Sequence, residues 1–381
     1  MLSVSGVTTG VRWVAAGAAV VVLGAGYAAV RAGGSDGSFL DLTGPAASAA
    51  APQRPAEPTV RFAAVGDVIM GSTPKLPPQG GRTFFDRVRP GLRGDVVTGN
   101  LESPLTNRTR STKCETALKP SGDKARCFAF RVPPGYARWI GAAGFTLMNI
   151  ANNHSRDYGT PGLTDTTRAL RDAGVDHTGF AGQITRTSVR GIRVVVLGFS
   201  PYGWTNSVLD VPSATRLVRR AAADADLVVV NMHVGAEGAD RTHVRPGPER
   251  FLGEDRGDPM RFAHAVVDAG ADLVVGHSPH VLRGMEFYRG RLIAYSLGNF
   301  AGYRTLSTVG PLGIGGILRA DLHRDGTWAG GSLTGTHLVD GGLPALDPRR
   351  GGVALVRRLS AADFPRSAPA IGPDGTLGLR R

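Results

Sequence analysis

Five short apolar runs in this 381-residue chain each end on residues able to bind a metal ion or move a proton. "AAVGD" stops at Asp67 and "DVVTGNLE" at Asn100 and Glu102. "TLMNIANNH" stops at Asn153 and His154, "LVVVNMH" at His233, and "LVVGHSPH" at His277 and His280. Each has a plain explanation taken alone. Asp67 and Asn100 follow glycines and suit turns, His233 suits a satisfied core position, and Pro279 suits a loop that merely reverses. Turn chemistry does not explain the recurrence. In an open α/β sheet, ligands gather beyond the carboxyl ends of the strands, so runs that end alike predict one shared polar site. Carboxylate oxygens mixed with imidazoles suit Zn²⁺, Mn²⁺ or Fe²⁺, and an Asn carbonyl is a rarer ligand found with them.

The elements that must carry these residues are short strands alternating with helical stretches. Strands are expected at "VRFAAVG", "DVVTG", "FTLMNIA", "RVVVLGF", "DLVVVNMH" and "DLVVGH", and helices over 162–173, 213–225 and 258–270. That alternation predicts an α/β fold with a largely buried sheet. From residue 281 the helical pattern stops: "HVLRGMEFYRGRLIAYSLGNF" reads as a hairpin, 312–340 as further antiparallel strands, and 366–381 as a loose tail. The main domain is therefore expected over 59–365.

Composition bounds the function classes. With 42% hydrophobic and 20% charged residues the chain can bury a real core. Its net charge of +13 is spread without a basic block or an aromatic-interleaved basic stripe. This fits an anionic partner and does not point to nucleic acid. Trp13–Val30 is uncharged and mostly apolar between Arg12 and Arg31. As a helix it would rise ~27 Å, close to a bilayer's hydrocarbon thickness. Residues 1–31 are thus expected to be an N-terminal transmembrane anchor, the alternative being a cleaved signal peptide. Residues 32–58, rich in Ala, Pro, Gly and Ser, read as a disordered linker, which puts the domain outside the cytoplasmic membrane. The two cysteines, Cys114 and Cys127, flank a Pro/Gly/Lys loop and in an exported protein are expected to form a disulfide.

"GDVIMG", "GNLESPLT", "ANNHSRDYG", "HVGAEG", "GADLVVGHSPHVLRG" and "AYSLGNF" follow one another in this order. Together they resemble the CapA family of bacterial capsule and poly-γ-glutamate biosynthesis proteins over about residues 59–345. The resemblance implies a metallophosphoesterase-like four-layer αββα sandwich and a site for one or two divalent ions (Mn, Zn or Fe). It implies Asp67, Glu102, Asn153, His233, His277 and His280 as metal ligands. His154 and Asn100 become catalytic candidates, His154 as proton donor to a leaving group, with Asn152 fixing the loop. The chain departs from the phosphoesterase pattern at Ile69, where a histidine is usual, at Gly238, and in the spacing of His277 and His280. Two functions follow. One is an extracytoplasmic metal-dependent hydrolase acting on an anionic polymer or phosphoester. The other is a non-catalytic polymer-binding subunit of a capsule synthesis or export complex, with capsule-synthesis membrane subunits as partners.

Overall fold

The computed structural model describes residues 58–116 and 127–380. The chain begins with β1 (Thr59–Ile69) and β2 (Val96–Leu101), then the short helices α1 (Thr112–Thr116) and α2 (Ala137–Ala143). β3 (Leu147–Asn149), α3 (Gly159–Asp172) and β4 (Asp176–Thr178) follow. Next come β5 (Thr185–Val189), β6 (Ile192–Ser200), β7 (Asn206–Ser207), α4 (Val211–Ala223) and β8 (Leu227–His233). A small ribbon of β9 (Arg250–Phe251) and β10 (Glu254–Asp255) precedes α5 (Pro259–Asp268) and β11 (Leu273–His277). The remainder is β12 (Met285–Tyr288), β13 (Arg291–Ala294), β14 (Asn299–Gly302), β15 (Ile314–His323), β16 (Trp328–Val339) and β17 (Leu343–Leu346). It closes with α6 (Gly351–Asp363), β18 (Ala370–Ile371) and β19 (Thr376–Gly378).

Two mixed sheets result. The first runs β18-β19-β16-β15-β1-β2-β3-β4, with β14 also paired to β1 and β17 to β16. Its β1 to β4 portion is parallel, and β15 joins β1 antiparallel. The second runs β12-β13-β11-β8-β6-β5, parallel from β13 to β6 and antiparallel at both edges. Side chains on a strand alternate between faces, and the burial follows that rule. Val60, Phe62 and Ala64 of β1 share a core with Val194, Val196, Val229 and Val275 of the second sheet. Ala63 and Val65 pack instead with Ile140 of α2 and with Leu163 and Leu170 of α3. On the far face of the second sheet, Val228, Val230 and Val274 meet Leu217 and Val218 of α4 and Phe262 and Val266 of α5. The layers are helices, sheet, sheet, helices. Both sheets are covered on both faces, which is why their strands read as continuous apolar runs.

The expected helices lie within a few residues of α3, α4 and α5; Asp210 and Asp258 cap the last two by accepting from the Ser213 and Arg261 N–H groups. Two expectations are corrected. A helix, α6, forms after residue 281: Val353, Val356, Leu359 and Ser360 are buried at helical spacing. Its start carries no capping signal, because Arg350, itself in a left-handed conformation, precedes two glycines and makes no side-chain cap bond. The expected loose tail over 366–381 is ordered where it is described, to residue 380, since β19 pairs with β18 and with Gly331 and Ser332 of β16. Among the described residues no helix is long and apolar enough to cross a membrane. The expected anchor over 1–31 and all of the 32–58 linker except Pro58 lie outside the described residues.

Candidate metal centre

Strand register aligns the polar strand ends. Asp67 stands opposite Asn299 on one side and Asn100 on the other, and Asn100 stands opposite Asn149. In the second sheet His233 stands opposite His277. Gly66 lets the ends close up, because a Cβ there would fall 1.8 Å from the Gly298 carbonyl oxygen. His280 reaches the same place from a tight loop in which Ser278 and His280 both take positive φ, 99° and 61°. That conformation costs non-glycine residues energy, and packing must hold it.

Asp67, Glu102 and His280 each offer a ligand atom, all within 4.8 Å of one another. His280 Nδ1 lies 3.1 Å from Asp67 Oδ2, and its Nε2 lies 3.8 Å from Glu102 Oε1. His277 Nδ1 is 3.9 Å from Asp67 Oδ1, and His233 Nε2 is 3.9 Å from Glu102 Oε1. Asp67, Glu102, His233 and His277 are all 0% exposed. Asp67 Oδ2, both Glu102 oxygens, His233 Nε2 and His277 Nδ1 are buried without a hydrogen-bond partner, as is Asn153 Oδ1. Burying carboxylate oxygens unpaired costs several kcal/mol each. Donors around an ion ~2.1 Å away stand roughly 3.0–3.4 Å apart, so small side-chain adjustments would bring the Asp67, Glu102 and His280 atoms onto one ion. The donor set fits a divalent metal.

A ladder of amides fixes the orientation of the first-sheet donors. Asn152 Oδ1 accepts from the backbone N–H groups of His154 and Ser155, which turns its Nδ2 toward Asn100 Oδ1 at 3.0 Å. Asn149, held by the Ala151 N–H, donates to that same oxygen at 3.0 Å. Asn100 therefore presents Nδ2 to Asp67 Oδ1 at 2.8 Å and to His233 Nδ1 at 3.3 Å. His233 Nδ1 accepts there, so the hydrogen of a neutral ring sits on Nε2, facing Glu102. The other two rings are set oppositely. Asn299 donates to the Leu312 carbonyl and takes His280 Nδ1–H on its oxygen at 2.9 Å, leaving His280 Nε2 toward Glu102 and toward Glu237 Oε2, 3.7 Å away. His277 Nε2 donates to Asn231 Oδ1 at 3.2 Å, which leaves Nδ1 as a bare acceptor facing Asp67.

Electrostatics follow from burial and crowding. Burial and the neighbouring Asp67 charge push the Glu102 carboxyl well above its usual range. Burial would also raise Asp67, but His280, whose Nδ1 stands 3.1 Å from Asp67 Oδ2, and the His277 and His233 charges hold it down at about 2. His280 is raised well above an ordinary imidazole: burial opposes this, and Glu102, Asp67 and Glu237 outweigh it. Burial lowers His233 far below the ordinary range and brings His277 to about 4. His154 is lowered too, by burial, with Asp157 opposing.

Three further groups frame the site. Glu237 is clamped by the buried Arg256, whose Nη1 lies 2.8 Å from Glu237 Oε1. The loop bearing Glu237 is itself held by the buried Arg283, which forms two bonds to Glu249 at 2.8 and 2.7 Å. His154 sits on the fully buried Asp157, Nδ1 to Oδ2 at 2.8 Å, and Glu237 acts electrostatically on both His154 and Glu102. Close by, Cys114 and Cys127 form the expected disulfide, with Cα atoms 5.5 Å apart.

The structure thus brings Asp67, Glu102, His233, His277 and His280 into one cluster, with Asn100 as the amide that orients Asp67 and His233. Asn153 and His154 lie on the adjoining loop, where the Asn153 carbonyl oxygen accepts from Lys113. Ile69 is 0% exposed and adds no ligand. The sequence reading missed Glu237, Asn299, Asn149, Asn231 and Asp157 as members of the site. Glu237, Asn299 and Asp157 lie inside the six ordered motifs and Asn149 and Asn231 inside the quoted apolar runs, and the available signal was their place beside strand ends.

The family model for the bacterial capsule synthesis protein PGA_cap matches residues 61–303. The chain is 33% identical over 262 residues to the capsule biosynthesis protein CapA of Bacillus anthracis, covering 62% of this chain and 58% of that protein. It is 32% identical over 258 residues to the PGA biosynthesis protein CapA of Bacillus subtilis (strain 168), covering 62% and 61%. It therefore spans about three fifths of the length of these relatives. Among solved structures, a 5'-nucleotidase precursor from Thermus thermophilus is similar at 14% identity and a TM-score of 0.38, covering 76% of this chain and 54% of that one. That likeness is too distant to bear on chemistry. The chain belongs to the bacterial capsule synthesis protein PGA_cap family.

Proposed function

We propose that this family member is a metal-dependent hydrolase of phosphoesterase type, serving capsule or poly-γ-glutamate biosynthesis outside the cytoplasmic membrane. The observation that carries this reading is the convergence of unpartnered buried donors from Asp67, Glu102, His233 and His277 around His280. Asp67, Glu102, His277 and His280 would hold an ion directly. His233, whose Nε2 carries the ring hydrogen, would stand beside them facing Glu102, and Asn153 Oδ1 is a further candidate. A divalent ion there supplies Lewis-acid polarisation of a phosphoryl or carbonyl oxygen and activates water as a nucleophile. Asn100 keeps Asp67 in place, and Glu237 is positioned by Arg256 at the cluster's edge. His154, with Nδ1 on Asp157, offers Nε2 for proton transfer to the leaving group.

The Trp13–Val30 segment supports an anchored, external domain, and the net charge of +13 supports an anionic substrate. A polymer-binding subunit without catalysis is the second reading. It is favoured by Ile69, which buries an apolar side chain where a further metal ligand is usual in phosphoesterases. Elemental analysis of the full-length chain, with hydrolysis of bis(p-nitrophenyl) phosphate and of poly-γ-glutamate before and after chelation, separates the two. Stoichiometric metal and chelator-sensitive turnover are expected. Tight polymer binding with no turnover on any metal would establish the second reading.

A further inference from the structure

The disulfide reaches the ring of His154 through one neighbour on each of its sides. Lys113 adjoins Cys114 and places Nζ 3.2 Å from Asp157 Oδ1, 3.2 Å from the Asn153 carbonyl oxygen and 3.3 Å from His154 Nδ1. Phe130 lies three residues beyond Cys127. Its backbone N–H donates to Asp157 Oδ2 at 2.8 Å, and its ring centroid is 4.5 Å from that of His154. Asp157 is 0% exposed and receives His154 Nδ1 at 2.8 Å. A carboxylate only accepts, so Nδ1 carries the ring hydrogen. The Lys113 ammonium then serves Asp157 Oδ1 and the Asn153 carbonyl, and Nε2 is the His154 nitrogen turned away from Asp157.

Local structure does little to hold these partners. Lys113 is in a five-residue helix, and residues 127–131 are irregular. Helices that short are not stable by themselves. The link between Cys114 and Cys127 joins the two segments covalently, in addition to the bonds that the Lys113 and Phe130 N–H groups each donate to Asp157.

We infer that the Cys114–Cys127 disulfide is a brace that positions His154. By holding Lys113 and Phe130 against Asp157, it keeps His154 in the Nδ1–H tautomer with Nε2 directed away from Asp157. Lys113, Phe130 and Asp157 act through His154 and are positioning residues. The use made of Nε2 rests on the hydrolase reading above; the ring geometry does not.

The test uses the Zn²⁺-loaded full-length chain in four forms: oxidised, phosphine-reduced, the Cys114→Ser/Cys127→Ser double variant, and Asp157→Asn, with phosphine-reduced Asp157→Asn added for the kinetics. Nitrogen-15 NMR of the histidine rings, with His154 assigned from His154→Gln, reads the tautomer directly. A single Nδ1–H tautomer is expected when oxidised and a tautomer mixture in the other three, with zinc content unchanged in all. For bis(p-nitrophenyl) phosphate, kcat should fall about 10- to 100-fold with KM unchanged, and loss of the bridge combined with Asp157→Asn should be no worse than either alone. An unchanged His154 spectrum in both bridge-broken forms overturns the inference, as do additive losses in kcat. A wild type that hydrolyses nothing removes the hydrolase reading, and the ring spectra still decide the brace.

Discussion

His154 is buried, and burial lowers its pKa despite Asp157, so the proton it would deliver is held less tightly than by a free imidazole. A general acid acts from its protonated form, so turnover should be full at low pH and fall as pH rises through a value below the ordinary ~6.5. His154→Ala should remove that limb and lower kcat by ~10²–10⁴-fold with metal content retained. A pH–rate profile of the wild type and the variant measures both, and an unchanged alkaline limb in the variant would rule His154 out as the acid. The ligands behave differently. Glu102 and His280 are both raised, so without metal the cluster holds its protons to higher pH than the free side chains would. An ion must displace them, and metal binding should release protons and tighten as pH rises. Calorimetric titration with Zn²⁺ in two buffers of unlike ionisation enthalpy gives the number released; zero would contradict the protonation assigned to Glu102 and His280. At this scale the sequence was legible where a functional residue ends an apolar run, as Asp67, His233 and His277 do. It was opaque where the residue sits in a loop delivered by tertiary contacts. Glu237 is an ordinary loop glutamate until Arg256 turns it toward His280.

Two elements carry electrostatic liabilities worth measuring. Asp272, at the head of β11, is buried and accepts the Val228 N–H at 2.8 Å, with Arg291 at 3.3 Å. Burial outweighs both partners and raises its pKa from 3.8 to about 6. The folded state therefore binds more protons than the unfolded state between these values, and stability should fall as pH rises from about 4 to about 6. The loss is on the order of 3 kcal/mol at most. Asp272→Asn keeps an acceptor for Val228 and should flatten that slope; urea midpoints at pH ~4.5 and ~7, on either side of the shifted value, show whether it does. The second element is the loop between β8 and β9. Arg283, 1% exposed at its side chain, holds it through Glu249. Glu249→Gln leaves that guanidinium buried without its countercharge and should cost ~3 kcal/mol in urea unfolding. It should also loosen the Ala236 backbone, whose N–H donates to Glu249 Oε2 at 2.7 Å, just ahead of Glu237. Wild-type stability in this variant would show that the pair is dispensable. Among elements, α3 to α5 were legible as helical stretches alternating with the apolar strands. The helix α6 was not, because a left-handed arginine and two glycines gave no sign of a start.

For the whole molecule, the sequence conveyed an α/β class and the direction in which the strands point, since Asp67, His233 and His277 sit at like ends. That the strands divide between two sheets came only from the αββα sandwich the motif resemblance implies, not from the patterning of the strands themselves. A strand covered on both faces is apolar throughout, so alternation that would assign a face is erased: in β8, Val229 belongs to the core between the sheets and Val228 and Val230 to the core under the helices. Pairing order was equally hidden. β1 is the first described strand, yet it lies in the interior of its sheet. It bonds to β2 close by in the sequence, and to β14 and β15 more than two hundred residues later. That arrangement governs assembly. Loop-closure entropy must be met before so distant a pairing returns any free energy, which makes folding slow. A chain made from its N-terminus onward leaves β1 with open hydrogen-bonding groups until β15 arrives, and such an edge invites pairing with other chains. Asp67 is in β1 and takes its neighbour Asn299 from β14. The candidate metal cluster therefore lacks its Asn299 neighbour until β14 has been made.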